Sequence, residues 1–169
     1  ATPAADTIRG EIEFRGVSFS YDDRVSALRN VDLRIPARTT VALVGRSGSG
    51  KSTLAKLIPR FYDPSDGSVT IDGRDVRSMR LSSLRRQISF AMQDCTLFQG
   101  TILENLTLGR DVPHDDIERA AHAACIHEFV RHLPDGYETI VGEGGVNMSA
   151  GQRQRIALAR VLLVDSPIL

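Results

Sequence analysis

Hydrophobic and polar positions alternate along much of the first half of the chain. Because successive side chains of a strand point to opposite faces of a sheet, this alternation predicts strands with one buried face, over residues 11–14, 17–21 and 31–35. The run Thr40-Val41-Ala42-Leu43-Val44 is almost continuously apolar, which is typical of a strand buried on both faces. Two further strands are predicted over residues 68–71 and 87–92, with a turn at Asp72-Gly73 after the first of them.

Helical spacing dominates the second half. A helix is also predicted over residues 52–58, directly after the glycines that follow the apolar run. Glycine, proline and aspartate separate three short predicted helices, at residues 101–108, 115–124 and 126–133. A longer helix is predicted from Ser149 onward, and its apolar stripe consists of Ile156, Leu158, Ala159, Leu162 and Leu163. A β-rich half is therefore followed by a mostly helical half.

Composition removes several classes of function. Lysine plus arginine equals aspartate plus glutamate, at 21 each, so no overall field favours nucleic acid or an acidic membrane, and any anion site must be local. No apolar run approaches the ~18 residues of a membrane span. The two cysteines, Cys95 and Cys125, are expected to be reduced thiols. The four histidines lack metal-ligand spacing and are expected on solvated helix faces, at positions 114, 122, 127 and 132.

One contiguous segment carries candidate chemistry, and we call it the cradle: Gly45-Arg46-Ser47-Gly48-Ser49-Gly50-Lys51-Ser52-Thr53. It matches the P-loop pattern in full, between a predicted strand and a predicted helix. Gly48 and Gly50 permit positive φ and close approach of backbone N–H groups to phosphate oxygens. Lys51 can reach the β- and γ-phosphates, and the Ser52 hydroxyl can ligate Mg²⁺. The alternative is a Gly/Ser turn without a ligand, and chance should produce this pattern in under about 1% of chains of this length.

A second motif narrows the family, since a P-loop alone leaves kinases, GTPases and other motors open. Ser149-x-x-Gln152 is a capping box that opens a helix with N-terminal amides able to meet an anion. The surrounding run, Asn147 to Arg155, resembles the signature sequence of ABC ATPases. A helix cap without a ligand is the alternative for this motif on its own. In the family, Ser149, Gly151 and Gln152 would contact the nucleotide.

Further residues extend the resemblance from about Ile12 to the end of the chain. Tyr21 corresponds to the adenine-stacking aromatic residue, and Gln93 to the glutamine that approaches Mg²⁺ and the attacking water. Residues 96–106 and 139–145 resemble segments of exporters rather than importers. Three positions depart from the family: Ala150 replaces a signature glycine, Arg38 a turn glycine, and Ile140 an acidic residue.

The resemblance implies an α/β fold, with a P-loop NTPase core, an antiparallel β subdomain and an inserted α-helical subdomain. The implied organisation is a linker over 1–10, a β-rich ATP-binding core over 11–93, a helical subdomain over 94–148 and the signature with its helix over 149–169. It implies ATP and Mg²⁺ as cofactors, Lys51 and Gln93 as catalytic residues, and Ser52 and Gln93 as Mg²⁺ ligands. The implied partners are a transmembrane domain and a second nucleotide-binding domain, in a head-to-tail homo- or heterodimer at the cytoplasmic face of the cell (inner) membrane; nucleic acid is not expected.

The family's two acidic residues for Mg²⁺ and hydrolysis are not found in this segment. Asp165-Ser166-Pro167 is expected to be the loop before the strand that carries them, which would begin at Ile168. We therefore expect a nucleotide-binding domain truncated before that strand, which alone binds ATP weakly and does not turn it over. Two rival hypotheses remain: a soluble ABC-type ATPase without a membrane domain, and a non-hydrolysing nucleotide-binding module.

Overall fold

A computed structural model describes residues 8–22, 26–91, 96–164 and 166–169. These residues form two compact units. One comprises the described residues up to Ile88 together with Ser166–Ile168, and the other the described part of Ser89–Asp165 together with Leu169. Within the described ranges, no helix has the length and apolar character that a bilayer crossing requires.

A four-stranded antiparallel sheet forms the base of the first unit. Its strands are β1 (Ile12–Ser20), β2 (Ser26–Ile35), β3 (Asp66–Ile71) and β4 (Arg74–Asp75), in the order β2-β1-β3-β4. The predicted strands 11–14 and 17–21 are one strand, interrupted between Phe14 and Val17 by a shift in register with β2. Two residues with positive φ, Asp72 and Gly73, join β3 to β4, as the predicted turn requires.

The core of this unit lies on one face of the sheet. Phe14 of β1 is paired with Leu33 on one side and Val69 on the other, so the alternating pattern of all three strands points to the same layer. Two short helices, α1 (Lys51–Leu57) and α2 (Leu81–Arg86), also contribute side chains to this core. The largest fully buried side chains here are Phe14, Val17, Leu57, Val69, Ile71, Val76 and Leu84.

One strand prediction is wrong, and another is met at a single residue. Residues 40–44 have no strand assignment and their side chains are exposed, with Val44 at 93% exposure. A strand needs neighbouring backbone groups to pair with, and no strand of the described chain pairs with this run. Within residues 87–91, the described part of the other predicted strand, there is a single parallel bridge from Ile88 to Ile168.

The second unit is helical, as predicted. Its helices are α3 (Ile102–Thr107), α4 (His114–Ala123), α5 (His127–Arg131) and α6 (Ala150–Leu162), and a two-residue ladder pairs β5 (Gly100–Thr101) with β6 (Ile140–Val141). The buried residues of α6 are Ile156, Ala157, Ala159 and Val161. Leu158 of the predicted stripe is instead 40% exposed, because the buried face turns towards Ala157 and Val161.

A buried asparagine ties the start of this unit to α6. The Asn105 amide donates to the carbonyl oxygens of Phe98 and Thr101, and its oxygen accepts from the N–H of Phe98 at 2.9 Å. Arg160 of α6 donates through Nε to the Asn105 carbonyl oxygen at 2.8 Å. Since Asn105 is almost fully buried, these bonds satisfy the polar atoms of its side chain, which have little access to water.

The histidines are not all on solvated helix faces, which corrects that prediction for His127. This side chain is buried, its Nδ1 shares a 2.9 Å hydrogen bond with the Tyr137 hydroxyl, and its ring stacks on His122 at 3.9 Å between centroids. No group of three or more potential metal ligands is found among the described residues.

Candidate functional site

The cradle lies in the first unit as an exposed turn that leads into α1. The N–H of Ser49 donates to the carbonyl oxygen of Arg46 at 3.2 Å, which closes the turn. Gly50 then takes the left-handed conformation, with φ of 87°, and its carbonyl oxygen accepts from the Leu54 N–H at 2.8 Å as the helix begins. The sequence pattern predicts this order, in which a turn is followed by a left-handed glycine and then by a helix.

The two central glycines serve different purposes. Both have positive φ, 80° at Gly48 and 87° at Gly50, which residues with a Cβ rarely adopt. A Cβ at Gly50 would lie 2.6 Å from the carbonyl oxygen of Ala27 and 2.7 Å from Leu28 Cδ2, so only glycine allows the turn to pack on β2. A Cβ at Gly48 would meet no atom within 4 Å, so that glycine faces open space.

The Lys51 ammonium lies across the turn. Its Nζ donates to the carbonyl oxygens of Gly45 at 2.9 Å and Arg46 at 2.8 Å, and it lies 3.4 Å from Ser49 Oγ. All three acceptors are exposed, so the ammonium can exchange them for stronger, charged acceptors without leaving a buried group unpaired.

Several N–H groups of the cradle are available to a ligand. In the hydrogen bonds of the described residues, the N–H groups of Gly48, Gly50, Lys51 and Ser52 donate to no protein acceptor. Small side chains, free N–H groups and one ammonium together suit a ligand with several negative oxygens. The residues present therefore fit the triphosphate of a nucleotide, and the Ser52 hydroxyl beside it suits a divalent cation.

Tyr21 lies on the bend directly after β1, close to the helix that follows the cradle. Its hydroxyl shares a hydrogen bond of 3.1 Å with Thr53 Oγ1. Its ring is nearly perpendicular to those of Phe19 and Tyr62, with centroids 4.9 and 5.1 Å away. The structure thus brings Tyr21 and the cradle together within one unit. The sequence alone does not point to Tyr62, because no local pattern indicates that aromatic residues 41 positions apart are in contact.

The predicted capping box at Ser149 is present in the second unit. Ser149 Oγ accepts from the Gln152 N–H at 3.2 Å, and Gln152 Oε1 accepts from the Ser149 N–H at 2.8 Å. The backbone N–H of Gln152 is thereby already hydrogen-bonded. Among the first three N–H groups of α6, those of Ala150 and Gly151 remain available to a ligand. Arg153 fixes the loop before the helix by donating to the Met148 carbonyl oxygen at 2.6 Å.

The three departures all lie at exposed positions, and Ile140 is the first residue of β6. Arg38 has φ of 59°, in the left-handed region where glycine is favoured, so the turn after β2 tolerates a side chain there at some cost in strain. Ala150 is exposed as the first residue of α6. Gln93, the candidate residue for Mg²⁺ and water, lies outside the described residues.

Comparisons with known proteins agree with this geometry. The ABC transporter family model matches residues 28–169. The ATP-dependent lipid A-core flippase of Salmonella typhimurium is 51% identical over 97% of the chain, and that of Pectobacterium atrosepticum 52% identical over 95%. A solved bacterial Atm1-family ABC exporter with ATP bound superimposes with a TM-score of 0.95, at 41% identity and over 99% of the chain.

The chain spans between 28% and 30% of the length of these three proteins. The match covers the cradle, the signature and the antiparallel sheet, and it confirms the predicted mixed α/β fold. The similarity to exporters agrees with the exporter type of ATPase domain that residues 96–106 and 139–145 indicate. The chain belongs to the ABC transporter family, as an ATPase domain of the exporter type.

Proposed function

We propose that this chain binds Mg²⁺ and ATP at the cradle and acts as the motor domain of an ABC exporter. The observation that carries the proposal is the cradle itself. The N–H groups of Gly48, Gly50, Lys51 and Ser52 are among those that donate to no protein acceptor in the described residues, and the Lys51 ammonium lies across the same turn. A triphosphate supplies the acceptors that these donors need.

Each residue of the site has a role in this proposal. Lys51 neutralises the β- and γ-phosphates, and the cradle from Gly45 to Thr53 wraps their oxygens. Mg²⁺, held by the Ser52 hydroxyl and the Gln93 side chain, would offset charge on the phosphate oxygens. Gln93 also orients the attacking water, while Tyr21 stacks on the base through the exposed part of its ring.

The signature residues belong to a second site in this proposal. Ser149, Gly151 and Gln152 would meet ATP held by the cradle of another ATPase domain, in a head-to-tail pair. Such a pair is isologous when the two domains are identical, since the same patches are used on both. Binding would close the pair, hydrolysis would reopen it, and a transmembrane domain at the cytoplasmic face of the membrane would follow. In this proposal the transmembrane domain selects the transported substrate.

The chain offers a direct test of phosphate binding, because it contains only two lysines. Lys51 lies in the cradle and Lys56 in the last turn of α1, five residues further on. We expect ATP with Mg²⁺ to protect Lys51, and not Lys56, from acetylation by a water-soluble reagent, as read by mass spectrometry. Lys51→Ala should abolish ATP binding, whereas Lys56→Ala, with the same change in charge, should preserve it. Equal protection of both lysines would contradict the proposal.

Pairing requires a test in the whole transporter. With Cys95 and Cys125 replaced, cysteines introduced at Ser47 and Ser149 should form an inter-subunit crosslink that ATP promotes. A cysteine at Thr101 in place of Ser149 is the matched control, because Thr101 caps α3 with the same capping box. If ATP promotes neither crosslink, or both equally, head-to-tail pairing through the signature is wrong.

A further inference from the structure

Three aromatic rings of the first unit contact one another beside the cradle. Phe19, Tyr21 and Tyr62 have centroid separations of 4.9, 5.1 and 5.4 Å. The Tyr21 ring is nearly perpendicular to the other two, with interplanar angles of 87° and 88°. Edge-to-face contacts of this kind favour a defined orientation and not merely close approach, because the electron-poor edge of one ring meets the electron-rich face of another.

The other end of the Tyr21 side chain is held by α1. Its hydroxyl shares a 3.1 Å hydrogen bond with Oγ1 of Thr53, which is itself buried next to Ser52. Two ring contacts and one hydrogen bond therefore restrain the ring at opposite ends. A tyrosine on a bend would otherwise keep much of its rotational freedom.

Burial of the core does not account for these contacts. Phe19 is buried as part of the core of this unit, whereas Tyr21 is 52% exposed and Tyr62 41% exposed. The contact between Tyr21 and Tyr62 thus lies at the surface, where it orients an exposed ring more than it removes apolar area from water.

We propose that Tyr62 is a positioning residue for base recognition: it holds the Tyr21 ring in the orientation that stacks on the nucleobase, while Thr53 links that ring to the helix beginning at the cradle. This inference rests on the proposed binding of ATP at the cradle. A fixed ring loses less freedom when the base binds, so the benefit should appear in the part of the affinity that depends on the base.

The comparison of ATP with inorganic triphosphate isolates that part, because both ligands fill the cradle and only ATP has a base. We expect Tyr62→Ala to weaken ATP binding roughly 2- to 10-fold, the size of one aromatic contact, and to leave triphosphate binding unchanged. Tyr62→Phe should bind both ligands as the native chain does, since the ring is retained. Tyr21→Ala should weaken ATP binding at least as much as Tyr62→Ala.

Phe61→Ala provides a matched control. Phe61 is the neighbouring aromatic residue and is 38% exposed, but its ring lies under the Arg85 guanidinium at 5.4 Å. The Phe61→Ala substitution should lower the thermal stability of the chain without changing the ratio of its affinities for ATP and for triphosphate. All variants are measured by calorimetry on the 169-residue chain, with thermal melting to report folding.

The outcomes separate the two proposals. If the native chain binds neither ligand, the proposed function fails. If it binds both, and Tyr62→Ala leaves their ratio unchanged or lowers both affinities equally, Tyr62 is a structural residue only and the inference is overturned. If Phe61→Ala lowers the ratio as far as Tyr62→Ala does, the effect is a general loss of surface packing, which also overturns it.

Discussion

Replacing each of the two central cradle glycines by alanine tests whether they serve different purposes. Both have positive φ, but only Gly50 lies against another part of the protein, at Ala27 and Leu28. Alanine at Gly48 meets backbone strain alone. Alanine at Gly50 meets the same strain together with a steric conflict with a backbone carbonyl, which has little freedom to move.

The magnitudes follow from these contacts. A Cβ in the left-handed region costs about 1–2 kcal/mol, of which roughly 0.4–1 kcal/mol is recovered because alanine restricts the unfolded chain. We therefore expect Gly48→Ala to lower the free energy of unfolding by about 1 kcal/mol. Forcing a methyl group into a filled space adds about 1–3 kcal/mol, so Gly50→Ala should lower it by about 3 kcal/mol.

Urea unfolding of the two variants, compared by midpoint at an unchanged slope, measures the difference. The affinity for ATP should show how each substitution affects the proposed phosphate site. Gly48→Ala places its methyl group in open space at the proposed phosphate site, so we expect it to lose affinity while it stays largely folded. If the two variants lose equal stability, the packing of the cradle on β2 does not determine the requirement for glycine, and our interpretation of these contacts is wrong.

Three further predictions concern the second unit. Ser149→Ala and Thr101→Ala should each lower the free energy of unfolding by about 1 kcal/mol in urea, since each removes the side chain of a capping box; a loss at only one site would contradict this. Burial, followed by the charge of a nearby glutamate, raises the pKa of Tyr137 from 10.0 to about 12. As the pH rises, the unfolded chain therefore loses the Tyr137 hydroxyl proton before the folded chain does. The stabilisation is complete below pH 10 and is lost as the pH rises towards 12; thermal melting from pH 8 to 12 should show a shallower alkaline decline for Tyr137→Phe. Asn105→Leu should leave partly buried backbone groups of Phe98 unpaired and cost about 1–3 kcal/mol, with faster hydrogen exchange at the Phe98 amide; unchanged exchange would refute it.

The features that the sequence predicted well are local. A capping box needs four consecutive residues, so the start of α6 at Ala150 follows directly from Ser149 and Gln152. The cradle is also contiguous, and its turn and left-handed glycines need no distant partner to be recognised. The same holds for the hairpin at Asp72-Gly73.

The features that the sequence did not predict depend on residues far along the chain. The apolar run 40–44 has the composition of a buried strand, but composition does not supply a neighbouring strand, and the run stays exposed. His127 is polar and its sequence context predicts a solvated helix face, yet Tyr137 supplies a hydrogen-bond partner that allows the side chain to be buried. The contact of Tyr21 with Tyr62 likewise joins two segments that no short pattern connects.

The two capping boxes show where local geometry ceases to indicate function. Thr101 with Glu104, and Ser149 with Gln152, make the same pair of hydrogen bonds at the starts of α3 and α6. The helix start at Ser149 differs in its second residue, because Gly151 leaves the backbone open: an added Cβ there would meet only the end of the Arg155 side chain, at 3.9 Å. A helix cap needs no such opening, whereas an anion approaching the helix amides does. Stability should therefore respond alike to alanine at either cap, and ATP turnover in the whole transporter should respond only at Ser149. Equal loss of turnover at both caps would make Ser149 a structural residue and remove the signature from the proposed site.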